Sequence, residues 1–253
     1  MDASQIFVAA LVAGAVLFVV MINVRTTQEQ RRQEIRRKEE SDRRKREQEE
    51  HTARHLASEA QRKKEGERIL ASILQEWQGT NDPQKKCELI KTLAKHRGDG
   101  GFEAIVWALK DPDEKVRMFA VAALQDLGDA RAVQPLIEVL MTDKAPQPCY
   151  YATKALARFK TPRAIAGMVS ALENQKGDLS ELAFQLGEMR AGEAVDALCR
   201  LAEGSGDAYA RRHAVMSLGN IGDRRAIPAL RKALNDNDDG VRERAQSSLT
   251  RFG

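Results

Sequence analysis

His51 and His55 are one helical turn apart, the spacing that brings two imidazoles onto one helix face, where a metal site could begin. No cysteine or carboxylate cluster completes a ligand set on that wet face, so no metal is expected. Cys87, Cys149 and Cys199 are scattered and form no CxxC pair. They read as small buried hydrophobes in a reducing compartment rather than as a disulfide framework or zinc site. His96 and His213 have no cysteine or carboxylate at a spacing that would make a triad. An arginine column, Arg117, Arg211 and Arg242, would bind an anion if it were free. The stronger expectation pairs it with the inter-helix acids Asp113, Asp207 and Asp238 as a structural ladder. No catalytic residue and no cofactor are expected, which leaves surface rather than reaction chemistry as what this chain offers.

The elements that carry that surface follow from a recurring phrase. Gly128-Asp129-Ala130-Arg131-Ala132-Val133 returns as Gly222-Asp223-Arg224-Arg225-Ala226-Ile227, with looser copies at Lys160–Ile165 and Arg190–Val195. The column Val133, Ile165, Val195, Ile227 advances by 32, 30 and 32 residues, a period that means stacked supersecondary units. Val133, Leu136, Ile137 and Leu140 mark the first helix of one unit, and Ile227, Leu230, Arg231 and Leu234 hold the same positions in the last. Val116, Ala120, Leu124 and Leu127 mark a second, as do Ala210, Ala214, Leu218 and Ile221, and Val241, Ala245, Leu249 and Phe252. Gly128 and Gly222 suit left-handed helix ends. Asp129, Thr161 and Asp223 suit caps, and Asp111 with Glu114 suits a capping box. The third copy departs from the pattern, having Arg190 where glycine is expected and a short turn near Lys176.

Helical periodicity puts one large apolar residue on the solvent-facing side of each of four successive second helices: Met118, Tyr150, Phe184 and Met216. Lys154 and Arg212 share that face, and small residues at Ala157, Gly187 and Gly219 are expected to leave room beside them. This stripe is expected to bind a protein partner.

The N-terminus reads differently. Residues 6–24 run nineteen positions without a charge, about 28 Å as a helix, and are expected to form a transmembrane anchor after a short extracytoplasmic tail at 1–5. Arg25, Arg31, Arg32, Arg36, Arg37 and Lys38 follow the span. These bases are expected to face anionic lipid and to keep the C-terminal domain cytoplasmic and the N-terminus outside, in a single-pass inner-membrane protein. Ala9/Ala13 and Ala10/Gly14 have the small-residue spacing that lets two anchors pack, the one feature compatible with a homo-oligomer. Residues 25–66 carry acid-to-base pairs four apart, among them Glu39–Arg43 and Glu50–Arg54, and almost no large apolar side chain. They are expected to form a solvated helical stalk or a charged linker. The chain's net charge is +4, but residues 25–68 hold that surplus alone and the rest is balanced. A neutral repeat region gives no reason to expect nucleic acid.

G-D-x-R-A-[VI]-x-x-L, followed by D-x-x-x-V-R and A-x-x-x-L, resembles the short HEAT-like repeats of phycobilin lyase subunits and many bacterial scaffold proteins. The resemblance covers residues 67–253. It implies a right-handed α-solenoid of about six HEAT-like hairpins; with the transmembrane helix and charged stalk read above, the chain is expected to be all-α. In that family second helices line the concave face, so the stripe would lie there. The expected function is a membrane-anchored scaffold or adaptor for protein partners, the alternative being a subunit of a bilin lyase-like or other HEAT-repeat enzyme. HEAT-like deoxyhypusine hydroxylases hold iron through His-Glu dipeptides, and this sequence has none. The HEAT-like alkylpurine DNA glycosylases need a basic concave face, which the neutral balance opposes.

Overall fold

The computed structural model describes the backbone of residues 3–95 and 99–252, and the side chains of 21, 25, 31–34, 36–95 and 100–252. The chain divides into two units, Met1–Glu65 and Gly66–Gly253. Helix α1 spans Ala3–Gln78. In the first unit its described side chains are exposed, and most of them are charged or polar. Arg54 meets Glu50 at 3.4 Å as the spacing predicts, whereas Arg43 turns to Glu47 at 2.9 Å, the base-first order.

The inner-membrane placement expected from the sequence is corrected here. Among the described residues, no helix is long and apolar enough to cross a membrane. From Arg25 to Glu67 the helix is dense in Arg, Lys, Glu and Gln, a composition unsuited to a bilayer core. Apart from Met21, the side chains of 6–24, including the Ala9/Ala13 and Ala10/Gly14 pairs, lie outside the described residues, as does His96. Arg25, Arg31, Arg32, Arg36, Arg37 and Lys38 are exposed.

The second unit is a stack of helical hairpins. The end of α1 leads into α2 (Pro83–Lys95). Then α3 (Asp99–Ala108) pairs with α4 (Glu114–Leu127), and α5 (Val133–Thr142) with α6 (Pro146–Phe159). α7 (Pro162–Glu173) pairs with α8 (Leu179–Glu188), and α9 (Val195–Gly204) with α10 (Ala208–Ile221). Last come α11 (Ile227–Ala233) and α12 (Asp239–Leu249). The second helices pack in series, α2 on α4, α6, α8, α10 and α12, while α5, α7, α9 and α11 form a parallel layer. The sequence columns become the seam between the layers. Val116, Ala120 and Leu124 are wholly buried, as are Ala210, Ala214, Leu218, Val241 and Ala245.

Local turn chemistry explains the joints. Gly128 and Gly222 adopt φ of 65° and 75°, the left-handed geometry that closes a helix. At the matching positions Lys160 and Arg190 are driven to φ 51°, each costing about 1 kcal/mol that neighbouring packing offsets. The caps shift by two residues from the capping box expected at Asp111. Asp113 accepts from the Lys115 and Val116 amides, while the buried Asp111 accepts from the Asp113 amide at 2.9 Å. The same arrangement recurs with the Ala145 amide on Asp143, the Asp207 amide on Ser205 and the Asp238 amide on Asp236.

Candidate functional site

The polar edges of the stack are tied by a ladder whose register differs from the one the sequence suggested. Arg117 does not reach Asp113 of its own hairpin. It forms a two-pronged pair with Asp143 of the next, Nε to Oδ2 at 2.7 Å and Nη2 to Oδ1 at 2.9 Å. Arg211 likewise grips Asp236 rather than Asp207, at 2.8 and 2.7 Å, and Lys86 donates to Asp111 at 2.7 Å. Each base sits on the first turn of a second helix, and its acid opens the next inter-helix turn, so the rungs join neighbouring repeats. Arg242 ends the series on the Asp236 carbonyl at 2.7 Å and the Asp239 carboxylate. Cys149 occupies the matching position in α6 and donates to the Val139 and Asp143 carbonyls instead. Burial raises its thiol pKa and that of Cys199, keeping both protonated and unreactive.

These rungs make the fold acid-sensitive in a defined direction. The Arg212 pair holds the Asp238 carboxyl down from 3.8 to about 2, and the Arg211 pair holds Asp236 below the usual range. Burial pushes Asp143 up, but the Arg117 pair together with the Ala145 and Lys144 amides outweighs it and the net shift is downward. A carboxylate with a lowered folded pKa stabilises the fold above its unfolded value and loses that contribution as pH falls through the folded one. The melting temperature should therefore fall between about pH 4 and pH 2. Asp236→Asn/Asp238→Asn should start lower and show a shallower acid slope. An unchanged slope in that variant, measured by circular dichroism melts, would remove these pairs as the cause.

The solvent-facing side of the second helices is built otherwise. Met118, Tyr150, Phe184 and Met216 are half-buried on α4, α6, α8 and α10, so each keeps an open apolar edge. Tyr150 packs edge-on to Tyr151 at 5.5 Å, and the exposed Lys154 sets its ammonium over the Tyr150 ring, 5.3 Å from the centroid. Phe184 stands edge-on to His213 of the next helix at 5.7 Å, and the Met216 sulfur accepts from Arg244 at 3.5 Å. Met118, Tyr150, Lys154, Phe184 and Met216 thus share one row of stacked helices. Arg212 does not offer a free cation. Its guanidinium forms a two-pronged pair with Asp238 at 2.7 and 2.8 Å and lies over Tyr209.

One expectation fails outright: the small residues leave no groove. A Cβ on Gly187 would lie 2.4 Å from Ser217 Cβ, and one on Gly219 would lie 2.6 Å from Ser248 Cβ. At those points α8 meets α10 and α10 meets α12. Ser217 donates to the Ala183 carbonyl at 2.7 Å, and Ser248 to the Val215 carbonyl at 3.0 Å. Ala157 is buried as well. Sequence periodicity also passed over Lys91, which sits over the Phe119 ring at 5.2 Å, and the exposed Lys115, Arg158 and Tyr209. Cations recurring at helix-face positions beside aromatics were the signal for them.

A family model described as HEAT repeats matches residues 70–148 and 179–250, and one described as PBS lyase HEAT-like repeat matches 148–174. No curated protein matches. Among solved structures, human deoxyhypusine hydroxylase in complex with glycerol is 18% identical over 72% of this chain and 84% of that one, with a TM-score of 0.42. The complex of CpcE and CpcF of phycocyanin lyase from Nostoc is 22% identical over 60% of this chain and 64% of that one, TM-score 0.48. An engineered protein is 24% identical over 74% and 96%, TM-score 0.48.

Proposed function

Because this chain belongs to the HEAT-repeat family, we propose that its repeat stack is a protein-binding scaffold rather than an enzyme, and that its second helices hold the partner. The observation that carries this reading is the row of half-buried Met118, Tyr150, Phe184 and Met216, with Lys154 poised over Tyr150. Side chains held on successive rigid helices lose little entropy on contact, which is what a partner's apolar residues need from an anchor row. The Arg–Asp rungs, by contrast, satisfy one another and contribute to the fold alone.

The test replaces Tyr150 with a photo-crosslinking phenylalanine in the full-length protein inside its own cells. A discrete adduct should form, and Met118→Glu/Phe184→Glu should remove it while leaving the circular dichroism melt within a few degrees. Burying two carboxylates in an apolar contact would weaken capture by about thirty-fold or more. An adduct indifferent to these substitutions, or purified protein carrying iron or a coloured bilin, would refute the scaffold reading.

A further inference from the structure

We infer that the partner segment is acidic as well as apolar, and that it lies with its carboxylates over α2, α4 and α6 and its apolar side chains running on toward Phe184 and Met216. This rests on the scaffold reading above and adds the chemistry of the occupant. The observation behind it is a difference in how bases are used. Along the turn edges, bases are neutralised: Lys86 by Asp111, Arg117 by Asp143, Arg211 by Asp236 and Arg212 by Asp238. On the solvent-facing side of α2, α4 and α6, Lys91, Lys115, Lys154 and Arg158 are exposed and no carboxylate is paired with any of them among the described residues.

Two of these cations are held by aromatic rings instead. Lys91 reaches from α2 to Phe119 of α4, and Lys154 lies over Tyr150 on α6, both within cation–π distance. A ring positions an ammonium without neutralising it, so the charge stays available to an incoming anion. Each such pair also presents a cation beside an apolar edge, a match for a carboxylate next to a leucine or phenylalanine. Glu88, Glu114 and Asp126 share these helices, so the field is basic by excess rather than uniformly. From α8 onward the basic excess disappears: Glu181, Glu188 and Glu243 appear, Arg212 is committed to Asp238, and the exposed Arg244 lies against the Met216 sulfur. A basic end and an apolar end on one face fix both the orientation and the charge of a bound segment.

The experiment selects a phage-displayed library of random peptides on the immobilised full-length protein. Enriched peptides should be rich in Glu or Asp together with Leu, Phe or Met. A synthetic consensus peptide should lose about tenfold in affinity to Lys91→Glu/Lys154→Glu/Arg158→Glu, and should weaken steeply as salt rises. The matching Lys91→Gln/Lys154→Gln/Arg158→Gln variant should show an intermediate loss, and both variants should melt like the parent because these side chains are exposed. Enriched peptides that are neutral or basic, yet are lost in Met118→Glu/Phe184→Glu, would overturn the acidic partner and leave the binding face standing. Peptides indifferent to both sets, or no enrichment, would overturn both.

Discussion

Gly187→Val should destabilise the repeat stack by about 3 kcal/mol, seen as a drop of about 6–12 °C in Tm. The reason is backbone proximity. A Cβ at Gly187 would sit 2.2 Å from Ser217 Oγ and 2.7 Å from Ser217 Cα, and a backbone carbon cannot swing aside as a long side chain can. To admit the new group α8 and α10 must separate, which also breaks the bond from Ser217 to the Ala183 carbonyl. Even Gly187→Ala should be costly here, whereas Gly204→Ala, with open space around it, should be neutral or slightly stabilising. Combining Gly187→Ala with Ser217→Gly should recover part of the loss, because the serine side chain vanishes while the backbone behind it stays in the way. Thermal melts of the four variants decide the matter. Equal melting of Gly187→Val and the parent would mean that the helices do not touch there.

Asp143→Ala should cost about 2–3 kcal/mol, the second large effect. Its carboxylate is only 7% exposed and its partner Arg117 16%, so removing the acid leaves a guanidinium that water barely reaches with only the Asp111 and Pro112 carbonyls to accept from it. The Ala145 amide loses its acceptor in the same step. The comparison is Asp129→Ala, which removes a pair whose side chains are 49% and 31% exposed together with the cap on the Arg131 amide, and should cost about 1 kcal/mol. Urea melts of both variants test the contrast. If Asp129→Ala proved the more damaging, the rung between hairpins would not be what joins the repeats.

Much of the stack was legible in the sequence because each repeat states its own period. Ala120, Ala214 and Ala245 fall into one column whatever the surrounding fold, and helix geometry sends that column to the seam. Turn chemistry was partly legible. Gly128 and Gly222 announce left-handed ends, but Lys160 and Arg190 adopt the same geometry without announcing it, since neighbouring packing overrides their preference. The apolar stripe was readable from the same angles. Its surroundings were not, because helical angles say which way a residue points and nothing about how near the next helix comes.

The sequence by itself determined the hairpin period, the residues on each seam and the row of Met118, Tyr150, Phe184 and Met216, because these depend only on the turn of a helix along one chain. Tertiary structure decided everything that depends on the distance between repeats. It moved the partner of Arg117 from Asp113 to Asp143 and filled the expected groove at Gly187 and Gly219 with Ser217 and Ser248. It also committed Arg212 to Asp238 while leaving Lys91 and Lys154 over their rings. An arginine that extends along its own helix and one that reaches the next hairpin have the same sequence signature. Only the separation of stacked helices tells them apart.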